Sequence, residues 1–465
     1  MRRWSIIISV LLLCALILGC RAVERGTVPP ENFTLGEDIS IEGVDVSRKE
    51  IWQAREMVRE QIEKTIRSMQ FDIYLKNGDK ERSARIQGTE LPIETDLETV
   101  LREAAYLPQH NGLRQNRREF DVSLRLDTEE ALAQVQALCT SFYVAPVDAT
   151  VKVDRSQDGM FAYTAESTGL QALPEELMPL LSQSIQREEG ARISLPFETL
   201  HPRYTEAQAR NEHQLISQFS TSFAKSPYNA SGRVANIKQA AGLIDGTRLQ
   251  PDEEFNINAI LGPRNKANGW HLAAGIRDGR YQQEYGGGVC QVSTTLFNAV
   301  MMADLEISER HLHSWPSGYV DIGRDATIST DGPNFRFINT SDCDIYVFAQ
   351  TDSSKKITVS LYGKPLPDDM HIKISSKRIA TLSSLGEDVL LDESLPANTR
   401  LVYREARRGK KSETYKEYYD ANGGLVRRQL AYADTYRSIR GTVYISSDLY
   451  YGVPDEEEST EIITQ

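Results

Sequence analysis

Cysteine is scarce in this chain, and no two cysteines have the spacing of a redox or zinc-binding pair. The 465 residues include five cysteines, and none of them belongs to a C-x-x-C motif. Cys14 and Cys20 lie near the N-terminus, which leaves Cys139, Cys290 and Cys343, far apart in the sequence. The spacing therefore indicates neither a disulfide framework nor a thioredoxin-like site. A Cys139–Cys343 bridge stays open as an alternative, although both positions have the pattern of core residues.

Clusters of basic residues are also missing. The formal net charge is −13, and no basic block is present that would meet phosphate groups. Nucleic acid is therefore not expected as a partner. The content of 40% hydrophobic and 26% charged residues is that of soluble globular domains.

No apolar run is long enough for an ordinary membrane span. The run at 6–18 has 13 residues and follows Arg2 and Arg3, as in a signal peptide. It ends in Gly19-Cys20, which looks like a lipobox with Cys20 as the lipidated residue. An uncleaved signal anchor is the alternative. In both cases we expect the rest of the chain to lie outside the membrane and to be attached to it.

A chain of this length exceeds what one hydrophobic core organises, so several domains are expected. The patterns indicate an α+β multidomain protein. The predicted segments are a signal sequence (1–20), a linker (21–37), two α+β units (38–118 and 119–200), a central α+β domain (215–365), an all-β module (375–447) and an acidic tail (448–465). Periodicity predicts helices at about 49–69, 96–105, 128–142 and 177–185, and strands at 71–75, 120–126, 146–153, 161–163 and 191–195.

The most informative stretch is a glycine turn followed by a cysteine. Gly286 to Gly288 precede Cys290, after which apolar residues recur at helical spacing. Three glycines allow a backbone path closed to side chains. The pattern predicts a thiol at the start of a helix, where free N–H groups and the helix dipole favour the thiolate. The competing interpretation is a structural cysteine buried in a glycine-rich turn.

A cysteine nucleophile needs a base and a group that orients the base. His311 and His313 alternate along the chain, so on an extended segment they point to opposite sides. We favour His313, because Ser314 and the residues after it begin a turn, and we keep His311 as the alternative. Asp325 is the candidate that orients the imidazole; otherwise it is a turn aspartate bonded to its own backbone.

Other polar residues near the thiol are candidates for binding the substrate and the oxyanion. Amides of the glycine turn supply N–H donors, and arginine binds carboxylates in a bidentate way. Each candidate also has a plain structural interpretation, as a core residue or a surface ion pair. The candidates are Gly287, Gly288, Gln291, Ser293, Thr294, Arg310, Tyr319 and Arg324. Cys290, His311 and His313 would also make three zinc ligands, but no C-x-x-C or H-E-x-x-H frame accompanies them, so neither a metal nor another cofactor is expected.

Residues 219–327 resemble a VanW domain. The motifs that carry the resemblance are Ile244-Asp-Gly246, Gly262-Pro-Arg264, Asn268-Gly-Trp270, Gly286-Gly-Gly-Val-Cys-Gln-Val-Ser-Thr-Thr295, Glu309-Arg-His-Leu-His-Ser314 and Gly323-Arg-Asp-Ala-Thr327. The chain departs from the family at Trp270-His271 and at 251–255. The resemblance implies an activity like that of L,D-transpeptidases, with Cys290 as nucleophile and the histidine motif at His311 and His313.

Two flanking regions resemble domains of cell-wall proteins. Pro146-Val-Asp-Ala-Thr-Val151 and Glu166-Ser-Thr-Gly169 are similar to a peptidoglycan-binding domain, the PG-binding 4 type. Residues 375–447, with Tyr418-Tyr-Asp-Ala-Asn-Gly-Gly424, resemble a G5 domain, an elongated β module of wall-associated enzymes.

The resemblances imply an anchored, wall-facing cysteine transpeptidase that acts on peptidoglycan stem peptides and forms 3–3 cross-links. If water resolves the acyl-enzyme, the same protein is a carboxypeptidase. The alternative is a peptidoglycan-binding surface lipoprotein without catalysis.

Overall fold

The computed structural model describes residues 28–106, 118–157, 159–224, 231–277, 280–452 and 461–464, with Arg277 and the last four residues described by backbone alone. The predicted signal sequence, lipidation at Cys20 and half of the acidic tail lie outside these residues. Within the part of the chain that the structure describes, no helix combines the length and apolar character needed to cross a membrane. The chain divides into two compact units, Met1–Val147 with Ser167–Arg203, and Asp148–Glu166 with Tyr204–Gln465.

The first unit has four described helices and several short sheets. The helices are α1 (Ile51–Ser68), α2 (Leu97–Ala105), α3 (Thr128–Ser141) and α4 (Pro174–Gln186). The strands in this stretch of sequence are β1 (Ile39–Ile41), β2 (Val44–Asp45), β3 (Gln70–Asn77), β4 (Lys80–Gln87), β5 (Ile93–Thr95), β6 (Arg118–Phe120), β7 (Leu124–Leu126), β8 (Thr150–Val153), β9 (Phe161–Thr164), β10 (Gly169–Ala172), β11 (Ala191–Ser194) and β12 (Phe197–Leu200). Of these, β8 and β9 belong to the second unit.

Local signals in the sequence set the helices of this unit. The carboxylate of Asp127 accepts the backbone N–H groups of Glu129 and Glu130 at 2.9 and 3.1 Å, and so caps the N-terminus of α3. Helix α1 buries Ile51, Ala54, Val58 and Ile62 along one side, as the periodicity predicts.

The two predicted units 38–118 and 119–200 share one hydrophobic core. Strand β1 pairs in parallel with β6, and β3 pairs in parallel with β11. The prediction of two separate units is therefore corrected. Each half contributes strands that find their partners only in the other half, so neither half completes its sheets alone.

The second unit contains the glycine–cysteine stretch. Its helices are α5 (Glu206–Glu212), α6 (Ser231–Ile244), α7 (Ile257–Leu261), α8 (Val289–Met302) and α9 (Ser447–Tyr451). Its further strands are β13 (Gln214–Ser222), β14 (Thr247–Leu249), β15 (Glu254–Asn256), β16 (Leu272–Arg277), β17 (Arg280–Tyr285), β18 (Glu306–Glu309), β19 (Arg336–Ile338), β20 (Ile345–Thr351), β21 (Lys356–Gly363), β22 (His371–Thr381), β23 (Glu387–Leu391), β24 (Thr399–Arg404), β25 (Lys410–Tyr419), β26 (Leu425–Tyr436), β27 (Gly441–Ile445) and β28 (Glu461–Thr464).

Helix α8 is the centre of this unit. It packs on a four-stranded sheet with the order β13-β21-β20-β14, and every residue from Gln291 to Met301 is buried. The buried stretch includes polar residues, which must find hydrogen-bond partners inside the protein because burial of an unpaired polar group is costly. The partners that they find fix the loops around the cysteine, as described below.

A hairpin from the predicted PG-binding-like segment forms part of the second unit. Strands β8 and β9 pair with each other, and the ring of Phe161 makes edge contacts with His213, Tyr346 and Tyr362 at centroid distances of 4.8, 5.1 and 5.7 Å. The predicted boundary 119–200 is therefore corrected, since 148–166 leave the first unit. The burial of the Phe161 ring among these aromatic residues explains the placement.

The C-terminal region is almost entirely β. One sheet has the order β22-β25-β26, and a second has the order β23-β27-β24-β28. Ile374 and Tyr432 from the first of these sheets pack against the core around α8, where Tyr432 lies 5.8 Å from the ring of Phe297. The regions predicted as a central domain and a separate all-β module thus share a core.

Candidate active site

The glycine turn places Cys290 in the first turn of α8. Gly286 and Gly288 have φ values of 80° and 105°, which residues with side chains rarely adopt. Gly287 is needed for a different reason, because a Cβ there would lie 2.5 Å from the carbonyl oxygen of Ala273. The three glycines therefore allow the backbone turn that places the thiol at the start of α8. Residues with side chains at these positions would be strained or would clash.

Cys290, His313 and Asp325 form a connected triad. The His313 side chain interacts with the Cys290 thiol, and each changes the pKa of the other. Asp325 Oδ2 lies 2.6 Å from His313 Nδ1 and also accepts the backbone N–H of His313 at 2.9 Å. His313 is 8% exposed and Asp325 only 1%. Because Asp325 occupies Nδ1, proton exchange with the thiol falls to Nε2.

His311 lies outside this arrangement. Its side chain is exposed and its Nε2 is 3.0 Å from the Glu309 carboxylate. The two histidines therefore have different surroundings, as their alternation along the chain predicts: His313 is buried and His311 is exposed. The alternative zinc site would need both His311 and His313 beside Cys290, but only His313 is there. Among the described residues, no group of three or more His, Cys, Asp or Glu is arranged to hold a metal ion.

The electrostatics of the site favour a thiolate–imidazolium pair. Burial raises the pKa of the Cys290 thiol, but the hydrogen bond and positive charge of His313 outweigh it, so the pKa is lowered. Burial in turn lowers the pKa of His313, whereas Tyr319, the hydrogen bonds to Asp325 and Cys290, and the charge of the thiolate raise it well above the ordinary value. Groups of the protein itself therefore favour the thiolate form of Cys290.

A residue from the C-terminal β region holds the carboxylate of the triad. Tyr436, at the end of β26 and 2% exposed, donates its hydroxyl to Asp325 Oδ1 and accepts the backbone N–H of Gly323 at 3.0 Å. Sequence analysis missed Tyr436, because it is more than a hundred residues away in what was predicted to be a separate module. No local pattern distinguishes it from the other tyrosines of the strands.

Ser293 and Thr294 hold the loop that carries the orienting carboxylate. Both are fully buried, and both bond to the backbone of Ala326: Ser293 donates to its carbonyl at 2.7 Å, and Thr294 accepts its N–H at 3.0 Å. The loop then passes the thiol, with Thr327 Oγ1 and the Ile328 carbonyl at 3.5 and 3.4 Å from Cys290 Sγ. The prediction that Ser293 and Thr294 contact substrate is therefore corrected. They position the loop.

Gln291 also has internal partners. It is 1% exposed, accepts from Arg233 Nη2 at 2.7 Å and donates to Thr221 at 3.0 Å. Gln291 thus orients an arginine rather than a substrate. Arg233, and Arg264 on the other side of the glycine turn, were not identified from the sequence, although Arg264 belongs to one of the VanW-like motifs and Arg233 lies in the same VanW-like region.

The predicted carboxylate-binding arginines are structural. Arg310, whose side chain is 4% exposed, binds both oxygens of Asp434 at 3.1 and 2.9 Å and lies over the rings of Phe297 and Tyr432. Because an internal carboxylate occupies Arg310, it is not available to a substrate.

Arg324 is likewise engaged inside the protein. It donates to Asn298 Oδ1 at 2.8 Å and to the Ile374 carbonyl at 3.3 Å. The prediction of a substrate role for Arg310 or Arg324 is therefore corrected. Both arginines join the α8 region to the C-terminal β region.

Two further predicted groups remain beside the thiol. The backbone N–H groups of Gly288 and Cys290 donate to no acceptor among the described residues, unlike that of Gly287, which reaches the Glu284 carbonyl at 3.4 Å. Burial raises the pKa of the Tyr319 hydroxyl, and the positive charge of His313 opposes this effect. The two amides therefore keep N–H groups without an internal acceptor at the start of α8, next to Cys290 in the chain.

The thiols differ enough for a selective labelling test. At pH 7 we expect iodoacetamide to alkylate Cys290 at least tenfold faster than Cys343, because only the thiolate reacts. Burial and a hydrogen bond to Asp342 raise the pKa of Cys343 to about 12, and burial raises that of Cys139. Peptide mass spectrometry of each cysteine over time measures the rates. Equal labelling of Cys290 and Cys343 would contradict the thiolate assignment.

The part of the chain that contains Cys290, His313 and Asp325 matches a known protein family. Residues 232–362 match the family model described as VanW like protein, which confirms the predicted VanW-like domain. The "Uncharacterized protein YoaR" of Bacillus subtilis (strain 168) is 37% identical over 174 residues, which cover 37% of this chain and 56% of that protein. The "Vancomycin B-type resistance protein VanW" of Enterococcus faecalis (strain ATCC 700802 / V583) is 28% identical over 130 residues, covering 27% of this chain and 47% of that protein. The chain thus spans about half the length of these curated relatives.

Two solved G5 domains are similar to part of the chain. The IgA1 protease G5 domain is 19% identical, with a TM-score of 0.13, and covers 17% of this chain and 92% of its own. The HP0197 G5 domain is 18% identical, with a TM-score of 0.10, and covers 16% of this chain and 95% of its own.

Proposed function

We propose that the VanW-like domain is a cysteine acyltransferase that acts on peptidoglycan stem peptides and forms 3–3 cross-links. The observation that carries this proposal is the buried His313–Asp325 pair, whose imidazole lowers the pKa of a thiol at a helix start. A binding domain has no need of an activated thiol. The similarity to a vancomycin resistance protein supports a cell-wall-related role and hence the choice of substrate.

The reaction proceeds in two transfers. The Cys290 thiolate attacks the carbonyl carbon of the scissile amide, and the free N–H groups of Gly288 and Cys290 hold the oxyanion. His313 gives its Nε2 proton to the departing amine as the C–N bond breaks, which leaves a thioester on Cys290. An amine of a second stem then attacks the thioester, His313 takes up its proton, and the thiolate leaves. If water attacks instead, the product is a shortened stem.

The membrane attachment is part of the same proposal. We place the protein on the outer side of the membrane, held by a lipid on Cys20 or by an uncleaved signal anchor. Metabolic labelling with a radioactive fatty acid is expected to mark the wild-type chain and to spare the Cys20→Ser variant. Labelling of both proteins would reject lipidation at this residue.

The test of function uses the soluble chain from residue 32 onward and disaccharide-tetrapeptide muropeptides. We expect a mass adduct on Cys290 and 3–3 dimers among the products. An adduct with only shortened stems would replace the transpeptidase by a carboxypeptidase. If neither adduct nor product forms, and wild type and Cys290→Ser pull down peptidoglycan equally, the protein is the wall-binding alternative.

A further inference from the structure

Two buried arginines lie on either side of the glycine turn that delivers the thiol. Arg233 of α6 is 9% exposed, and Arg264 of the loop after α7 is 8% exposed. A Cβ on Gly288 would lie 2.9 Å from Arg233 Cγ, and a Cβ on Gly286 would lie 2.6 Å from Arg264 Cγ. The glycines therefore make room for both arginines as well as for the backbone turn.

Neither arginine has a carboxylate partner among the described residues. Arg233 donates Nη2 to the neutral amide of Gln291 at 2.7 Å. Arg264 donates Nη1 to the Asn258 amide oxygen at 3.0 Å and to the Gly262 carbonyl at 3.2 Å. Arg233 Nε and Arg264 Nη2 are buried and reach no acceptor in this part of the chain. Buried guanidinium groups without a counter-ion are costly, and Arg310 of the same unit shows the usual solution, a bidentate carboxylate.

Both positive charges act at the thiol. Among the charges that act on Arg233, Cys290 follows Tyr319. Among those that act on Arg264, Cys290 comes first, ahead of Asp331 and Glu284. Burial lowers the pKa of both arginines, and it does so without discharging them, because the ordinary value is so high. The site thus has two fixed cations next to the nucleophile.

We propose that Arg233 and Arg264 form a subsite for a substrate carboxylate, and that this carboxylate is the free C-terminus of the amino acid that leaves the peptide. The carboxyl carbon of a C-terminal residue is three bonds from the scissile carbonyl carbon. When Cys290 Sγ attacks that carbonyl, the negative charge of the carboxylate therefore lies close to Sγ and needs a positively charged partner there. The substrate class is then a peptide cleaved at its last amide bond. This assignment of the leaving group rests on the proposed acyl transfer, whereas the carboxylate subsite itself does not.

The subsite can be tested by thiol chemistry alone. Iodoacetate and iodoacetamide both transfer a CH₂ group to the thiolate and release iodide, but only iodoacetate carries a carboxylate beside the reacting carbon. In the soluble chain at pH 7 and low salt, we expect the iodoacetate-to-iodoacetamide rate ratio at Cys290 to exceed that of N-acetylcysteine at least fivefold. We use the ratio of the two rates because a change in the thiol pKa alters both rates by the same factor and so leaves the ratio unchanged.

The variants Arg233→Gln and Arg264→Gln are expected to bring this ratio down to that of the free thiol. Arg233→Lys and Arg264→Lys, which keep the charge, are expected to keep part of the preference. Arg248→Gln is the matched control, since Arg248 pairs with Asp344 at the surface. Circular dichroism and thermal unfolding show that each variant is folded. A wild-type ratio equal to that of N-acetylcysteine, or one that both Gln variants leave unchanged, would overturn the subsite.

The source of the carboxylate is tested with tetrapeptide stems that end in an acid or in an amide. We expect wild type to process the acid at least tenfold faster than the amide, and the Gln variants to lose that difference. If both stems react equally in wild type, the leaving carboxylate is rejected in favour of a side-chain carboxylate of the diamino acid. If no stem reacts while the iodoacetate preference holds, the subsite stands and the proposed acyl transfer fails.

Discussion

Replacing His313 with glutamine is expected to slow thioester formation on Cys290 by about a thousandfold, within the range that a general acid–base group contributes. The imidazole both stabilises the thiolate and protonates the leaving amine, and glutamine can do neither. Rapid-quench measurement of the acyl-enzyme by intact mass gives the rate. The fold should survive, because glutamine can still donate a hydrogen bond to Asp325.

His311→Gln is the matched control for this prediction. The two histidines are two positions apart, but His311 is exposed and paired with Glu309. We expect His311→Gln to change the rate less than twofold, as is usual for surface positions away from a site. A similar loss in both variants would show that the geometry of the triad is not the catalytic one.

The pH dependence of thiol reactivity should change with His313. In wild type the pKa of Cys290 is lowered, so alkylation by iodoacetamide persists as the pH falls below the usual thiol range. In His313→Gln the burial that raises the pKa remains, and the hydrogen bond and charge that lower it are lost. Alkylation of the variant should therefore be slow at pH 6–7 and should rise as the pH increases. A pH profile that stays the same would contradict the ion pair.

The second large effect is expected from Tyr436→Phe, in a strand that sequence analysis assigned to another domain. Loss of the hydroxyl leaves Asp325 Oδ1 and the Gly323 N–H without their partner. A hydrogen bond to a charged group contributes about 1.5–3 kcal/mol, so the acylation rate is expected to fall about tenfold to a hundredfold. The free energy of unfolding should fall by about 1–3 kcal/mol, the cost of the unpaired groups.

Tyr432→Phe provides the control within the same strand. The ring of Tyr432 packs on Phe297 and Arg310, and phenylalanine keeps those contacts. Denaturant unfolding and acylation rates should both stay near wild type. If Tyr436→Phe lowers stability but leaves the rate and the pH profile of alkylation unchanged, its role is structural and does not extend to the triad.

The sequence predicts those parts of the site that are close together along the chain. Three glycines before Cys290, and an apolar period after it, are enough to place a thiol at a helix start. The alternation of His311 and His313 follows from the geometry of an extended segment. In the first unit, the predicted helices agree with the observed ones to within about three residues, because caps and periodicity are local.

Pairing between distant residues is what the sequence does not contain. Nothing near Arg310 shows that Asp434 will occupy it, and nothing near Arg233 shows that it has no carboxylate. The sequence does contain polar residues in the first turn of α8. Their polarity alone does not show whether a side chain faces a substrate or, like Ser293 and Thr294, bonds to the backbone of Ala326. The merging of the two N-terminal units has the same cause, since strand partners are chosen in the folded chain.

The hairpin of β8 and β9 limits how the protein can be divided. The chain passes from one unit to the other between 147 and 148, between 166 and 167, and between 203 and 204. A fragment that begins at 204 would contain the triad but lack Phe161, and the aromatic rings of Tyr346 and Tyr362 that it covers would be exposed to solvent. Expression of the half that contains the triad as one continuous piece therefore removes part of its own core. A soluble fragment would have to carry 148–166 as a fused or co-expressed peptide.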